Sequence, residues 1–237
     1  MNLIIQNIRK ELLENIDEKT KNTFQRFFKD KVKCYGIKTA TVGSIAKKYW
    51  KEVKDKNKKE IFELCEELYK SDYTEEAFVV SFWGGNFIDF VEEKDLVTYE
   101  KWISKYINNW AKCDGFCNHT VGDYITKYPE KVKELKRWAA SPNRWMRRAA
   151  AVTLIVPAKR GDFLKEVFEI SDILLLDEED IVQKGYGWLL KEASRQHQEE
   201  VFNYVVGNKD KMPRTALRYA IEKMPKELKV IAMKKTQ

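Results

Sequence analysis

The sequence is poor in histidine, cysteine, proline and glycine. Its 237 residues include two histidines, four cysteines, five prolines and ten glycines. Cys34, Cys65, Cys113 and Cys117 show no disulfide framework. No apolar run approaches the roughly 20 residues of a membrane-spanning helix, and the charged N-terminal stretch lacks a signal-peptide pattern. We therefore expect a reduced, cytoplasmic protein with one folded domain over residues 1–237, without a membrane partner.

Positive charge is concentrated in the second half of the chain. Residues 1–100 carry 18 lysines and arginines against 19 acidic residues, whereas residues 101–237 carry 26 against 18. Eight of the ten arginines follow residue 130. A basic surplus in one half favours a polyanionic partner such as nucleic acid, although a basic protein without such a partner remains the alternative.

Apolar residues recur at helical spacing along the chain, and no alternating strand pattern is present. The segments IIQNIRKELLENI, TVGSIAKKYWKEV, KEIFELCEELYK, EKVKELKRWAA and QEEVFNYVVGN carry this pattern. Asp114, Arg148 and Trp188 follow one another at intervals typical of helical-pair repeats, which have periods of roughly 34 to 47 residues. The sequence therefore predicts an all-α solenoid in which equivalent helices line one concave face.

The stretch NNWAKCDGFCNH places a carboxylate among apolar residues. On a helix, Trp110 and Asp114 lie four residues apart and share a face. Asp114 is then either part of an aromatic site or a simple cap, since Gly115 could mark a helix end.

The two cysteines and the histidine in this stretch suggest a metal site as a further alternative. Cys113 and Cys117 have a spacing that zinc ligands use, and His119 follows them. The chain has no second cluster of ligands, and cysteine is common in helical cores. We therefore expect neither metal nor cofactor.

Two later segments combine tryptophan with basic residues. In SPNRWMRRAA, Ser141 can cap a helix that begins after Pro142 and carries Arg144, Arg147 and Arg148, which could bind phosphates. In VQKGYGWLLKEAS, Lys184 and Lys191 flank Trp188 on one helical face. Each segment can equally be a solvated basic helix with a core tryptophan.

Taken in order, these motifs carry a family resemblance. The segments GIKTATVGSIAKKYW, NNWAKCD with VGDYITKYPE, WAASPNRWMRRAAAV and VQKGYGWLLKEAS resemble the AlkD family of DNA alkylation-repair glycosylases. The resemblance implies a solenoid of HEAT-like repeats with a concave basic groove. It also implies release of cationic alkylated purines, such as 3-methyladenine and 7-methylguanine, from duplex DNA.

The resemblance also assigns roles to individual residues. The family's W-x3-D motif matches Trp110 and Asp114, its arginine matches Arg148, and its later tryptophan matches Trp188. Lys38 and Thr39 fall in the DNA-contacting N-terminal segment, which lacks the family's proline and arginines here.

The expected chemistry is monofunctional base excision without a cofactor. Asp114 and the two indoles would be catalytic, and the basic residues would hold the alkylated double-stranded DNA. We expect a monomer. The alternative is a non-catalytic helical-repeat module that binds DNA or protein.

Overall fold

The computed structural model describes residues 2–234, and these residues form helices and connecting segments without a β-strand. The α-helices are α1 (Leu3–Glu14), α2 (Glu18–Gln25), α3 (Thr39–Val53), α4 (Lys58–Lys70), α5 (Thr74–Gly84), α6 (Leu96–Tyr106), α7 (Trp110–Phe116), α8 (Gly122–Lys127), α9 (Val132–Ala139), α10 (Arg144–Thr153), α11 (Ile155–Arg160), α12 (Leu164–Leu174), α13 (Asp180–Ala193), α14 (Gln198–Asn208), α15 (Arg214–Ala220) and α16 (Lys226–Met233). The predicted all-α fold is confirmed, and every segment singled out by its helical spacing lies in or mostly within a helix.

The chain divides into two compact units, Met1–Thr120 and Val121–Gln237. Each unit has its own layers of helices. The single-domain organisation expected over residues 1–237 and the concave basic groove both stay predictions.

Unit 1 stacks helices in two layers. Helices α3, α5 and α7 pack side by side in one layer, and α1, α4 and α6 cover them. The indole N–H of Trp83 on α5 donates to the carbonyl of Ala46 on α3 at 2.8 Å, so the helices are held by a directed bond as well as by apolar contact. Gly84 lets α5 lie against Thr120, because an added Cβ would fall 1.9 Å from the Thr120 hydroxyl.

Unit 2 repeats this arrangement. Helices α10, α13 and α15 form one layer, while α9, α12 and α14 pack on them or on one another, and α16 packs on α14. Trp138 on α9 and Tyr186 on α13 are fully buried. Two glycines of α13 allow close packing on both sides. Gly185 faces Arg148 and Val152 of α10, and Gly187 faces α15.

The start of α10 differs from the expected one. Asn143, not Ser141, caps this helix, and its side chain accepts a hydrogen bond from the Trp145 amide at 2.9 Å. The Ser141 hydroxyl instead accepts from the amide of Asn143 at 3.2 Å. The interpretation of Ser141 as the cap was therefore wrong by two residues. Serine and asparagine side chains can both accept such a bond, so the residue types alone do not distinguish the two positions.

Among the described residues, no helix is both long and apolar enough to cross a membrane.

Candidate active site

Asp114 lies within α7, one turn after Trp110. The helix is capped by Asn109, whose side chain accepts from the Lys112 amide at 3.0 Å. Asp114 is therefore not an N-cap, and Gly115 does not end the helix, which continues to Phe116. An added Cβ at Gly115 would meet the Ser81 hydroxyl at 3.3 Å, so glycine permits close approach of α7 to α5. This packing leaves the Asp114 side chain half-buried.

A π-helical turn, Cys117–Val121, follows Asp114. Such turns are rare and often occur at functional sites because they shift the register of the side chains that follow. The one here begins three residues after Asp114, the residue singled out for catalysis.

Trp110 is half-buried, in contrast to the fully buried Trp83, Trp102 and Trp138. Its indole N–H donates to the Phe27 carbonyl at 3.3 Å. Its ring stacks on Phe28 with centroids 5.2 Å apart and an interplanar angle of 18°. The segment after α2 thus forms one wall beside Trp110. Sequence reasoning missed this contact, although the aromatic run FQRFF could have drawn attention to it.

The cysteines around Asp114 belong to the core of unit 1. Cys113 and Cys117 are fully buried, whereas His119 is exposed. Burial raises the pKa of Tyr69 well above its usual value, and the neighbouring thiols of Cys65, Cys117 and Cys113 contribute to this shift. Within residues 2–234, no group of three histidine, cysteine or acidic residues is arranged to hold a metal ion.

Lys112, between Trp110 and Asp114 in sequence, has a structural role. Its buried ammonium group donates to the Asp72 carbonyl at 2.9 Å, to the Asp72 carboxylate at 2.6 Å and to the Asn108 side chain at 3.0 Å. These bonds use all three N–H groups of a lysine. Burial lowers the pKa of Lys112, and the hydrogen bond to Asp72 opposes that shift. The lysine ties α7 to the turn before α5, in which Asp72 has a φ of 65°.

Two buried carboxylates on α5 hold the segment that leads to Lys38 and Thr39. Glu75 accepts from the backbone amides of residues 35, 36 and 37 at 2.9, 2.8 and 3.2 Å. Glu76 accepts from the Tyr35 hydroxyl at 2.7 Å and pairs with Arg9. Lys38 and Thr39 are exposed at the start of α3. Sequence reasoning missed both carboxylates, because two glutamates in the first turn of a helix usually lie on its surface.

In unit 2, Arg148 is 4% exposed and packs between α10 and α13. Its guanidinium donates to the Ile181 carbonyl at 2.5 Å. Gly185 leaves room for it, since an added Cβ there would lie 3.4 Å from the Arg148 Nη1 atom.

The other two predicted arginines of α10 pair with acidic residues. Arg147 Nε is 2.5 Å from the Asp177 carboxylate, and its Nη1 donates to the carbonyls of Ser141 and Pro142 at 3.1 Å. Arg144 lies 3.3 Å from Glu179 and 5.1 Å from the centroid of the Trp145 ring. Part of their positive charge is thus neutralised within unit 2.

On α13, Trp188 is half-buried between two paired lysines. Lys184 lies 2.8 Å from Asp180, and Lys191 lies 3.1 Å from Glu222. The core-facing residues of this helix, among them Tyr186 and Leu189, are fully buried. Trp188 therefore faces away from the core of unit 2 with the two lysines beside it.

The structure brings Trp110 and Asp114 together on α7 of unit 1. In unit 2 it brings Arg148 to the α10–α13 contact and places Lys184, Trp188 and Lys191 on one face of α13. These are two partly exposed faces of stacked helices, each with a half-buried indole and ionisable groups.

The overall fold is that of a solved helical protein. The structure titled "Predicted DNA alkylation repair enzyme from Enterococcus faecalis" superimposes with a TM-score of 0.79 at 15% sequence identity, covering 90% of this chain and 98% of that chain. A search of curated proteins finds no match. The sequence pattern of the family described as "DNA alkylation repair enzyme" matches residues 8–224. The chain belongs to this DNA alkylation repair enzyme family.

Proposed function

We propose that this protein is a DNA glycosylase that hydrolyses the N-glycosidic bond of cationic N3- or N7-alkylated purines in duplex DNA. The observation that carries this proposal is the W-x3-D motif within a family match over residues 8–224. Trp110 and Asp114 stand one turn apart on α7, and both are accessible in part.

Asp114 would supply the negative charge of the reaction. An alkylated purine that is already cationic is a good leaving group, so its departure requires no general acid. The sugar develops positive charge as the bond breaks, and a nearby carboxylate stabilises that charge. The same carboxylate would accept a proton from the water that attacks the sugar.

Trp110 and Trp188 would stabilise cationic groups through their indole faces, since a cation over an aromatic ring is attracted by the ring's quadrupole. Their half-buried state supports this role, because a fully buried indole could not meet DNA. Phe28 stacks on one face of Trp110, and the opposite face would meet the substrate.

Basic residues would hold the duplex through its phosphates. Arg148 is the residue that the family motif assigns to this task; it is buried and bonded to the Ile181 carbonyl, so its guanidinium would have to leave that carbonyl to reach a phosphate. The partly exposed Arg144, Arg147, Lys184 and Lys191 on α10 and α13 are further candidates. In unit 1, Lys38 and Thr39 are exposed and would contact the DNA backbone. Contacts of this kind position the protein without reading the base sequence.

A base-release assay tests the proposal. Purified protein, treated with EDTA, is incubated with methylated duplex DNA, and the released bases are separated by chromatography. We expect free 3-methyladenine or 7-methylguanine and abasic DNA that breaks only after alkaline heating. Duplex binding without base release would instead favour a non-catalytic DNA-binding module.

A further inference from the structure

Most arginines of unit 2 are bonded within the protein. Of the eight after residue 130, Arg137, Arg144, Arg147, Arg160 and Arg195 pair with acidic side chains, and Arg148 donates to a backbone carbonyl. The positive charge of these six arginines is therefore less available for binding an external anion than the sequence suggests.

Arg214 and Arg218 are different. Both are exposed, and neither forms a hydrogen bond or an ion pair with any residue in the range 2–234. They lie four residues apart on α15, so their side chains share a face one turn apart. Glu222, one turn beyond Arg218, is bonded to Lys191 instead.

The pair lies on the exposed face of α15. On α15 the residues Ala216, Leu217 and Ala220 are buried, and the two arginines lie on the opposite side of the helix. The neighbouring helix α13 contacts α15 through Gly187, where an added Cβ would fall 2.7 Å from the Ala216 carbonyl.

The neighbouring helix α13 has a partly exposed face, which carries Trp188. On α13, Gly185, Tyr186 and Leu189 are buried, whereas Lys184 and Trp188 are partly exposed. On helical spacing, Trp188 and the two arginines each lie away from the buried face of their own helix, and the two helices are neighbours in unit 2.

We propose that Arg214 and Arg218 form a phosphate-binding site that grips the DNA backbone next to the Trp188 face. The inference rests on the proposed function, because it takes duplex DNA as the ligand. Arginine suits phosphate because its planar fork donates two parallel hydrogen bonds and is always charged. The two guanidinium groups have no partner within residues 2–234, so no ion pair in that range has to be broken before binding.

Salt-dependent binding to a lesion-free duplex tests this site. Each phosphate contact adds about 0.9 to the slope of log affinity against log salt concentration. We expect Arg214→Gln and Arg218→Gln each to reduce the slope by about one, and the double variant to reduce it by about two. The Tm should stay within a few degrees of the parent's, since both side chains are exposed.

The matched control removes two arginine charges from the same unit. Arg160 and Arg195 already pair with Asp162 and Glu192, so the double variant Arg160→Gln, Arg195→Gln should leave the slope near that of the parent. Equal slope changes in both double variants would overturn the site in favour of a general charge effect. An unchanged slope in the Arg214, Arg218 variant would also overturn it, as would a parent protein that binds no duplex.

The same variants separate this inference from the proposed function. A parent that releases alkylated bases while the arginine substitutions leave its salt slope unchanged keeps the glycosylase proposal and refutes the arginine site. A parent that releases no base but loses two units of slope on substitution refutes the glycosylase proposal and keeps the site.

Discussion

Replacing Trp110 by alanine separates a role in chemistry from a role in folding. Trp110 is half-buried, and its polar contact is one hydrogen bond to the Phe27 carbonyl. Losing that bond costs about 0.5–1.5 kcal/mol of stability, and losing the stack on Phe28 costs about as much again. For a protein of this length, 1 kcal/mol shifts the Tm by roughly 2–4 °C. We therefore expect Trp110→Ala to lower the Tm by about 2–12 °C.

Trp138 is the matched control in the core. It is fully buried, and truncating such a tryptophan to alanine typically costs about 3–5 kcal/mol. Trp138→Ala should therefore lower the Tm by clearly more than Trp110→Ala does. The folded fraction of Trp138→Ala should still release bases at a rate close to that of the parent.

The catalytic effect of Trp110 is expected in single-turnover base release. A cation–π contact in a desolvated site is worth about 2 kcal/mol, which corresponds to more than a tenfold loss of rate. Melting curves and single-turnover rates for Trp110→Ala and Trp188→Ala provide the measurement. If both variants melt as low as Trp138→Ala while their folded fractions react normally, the two indoles are core residues and the catalytic role is refuted.

Three further substitutions test particular contacts. Gly36→Ala should reduce the free energy of unfolding in urea by more than about 2 kcal/mol, because Gly36 has a φ of 91° and the new Cβ would overlap Lys21 at 2.3 Å; an unchanged urea midpoint would contradict this. Burial of Tyr106 and the hydrogen bond that its hydroxyl donates to Glu66 raise the pKa of this residue to about 12, above the unfolded value of roughly 10. The protonated tyrosine therefore stabilises the fold below pH 10, and this contribution is lost as the pH rises towards 12. In urea titrations, the free energy of unfolding should fall less between pH 8 and pH 11 for Tyr106→Phe than for the parent. Arg148→Ala should weaken binding to modified and lesion-free duplexes and flatten the salt slope by about one; a lower Tm with an unchanged slope would limit Arg148 to the contact between α10 and α13.

The all-α fold could be predicted because it depends on local information. The apolar residues of α1, α3 and α4 recur at a spacing that buries one helical face, and this spacing is present in the sequence itself. The cap of α10 was harder to place, since Ser141 and Asn143 both have side chains that can accept from a backbone amide. Which of them caps the helix depends on backbone geometry within one turn.

The partners of charged side chains could not be predicted, because they depend on packing between distant segments. Arg147 meets Asp177, 30 residues later, only because α10 packs near the segment before α13. Glu75 accepts from amides about 40 residues earlier in the chain. The sequence shows that such charges exist, but not which are neutralised inside the fold and which, like Arg218, remain open to a partner.

The central claim is that the Asp114 carboxylate drives base release, and single-turnover release of 7-methylguanine by Asp114→Asn tests it most directly. Loss of an acid–base group typically costs at least about 10²-fold in rate. We expect a loss of this size, with duplex binding retained or tighter because a negative charge near the phosphates is removed. Asp55→Asn, which alters an exposed carboxylate of the same unit, should react like the parent. A near-parental rate for Asp114→Asn would contradict the account and move the catalytic role to another residue.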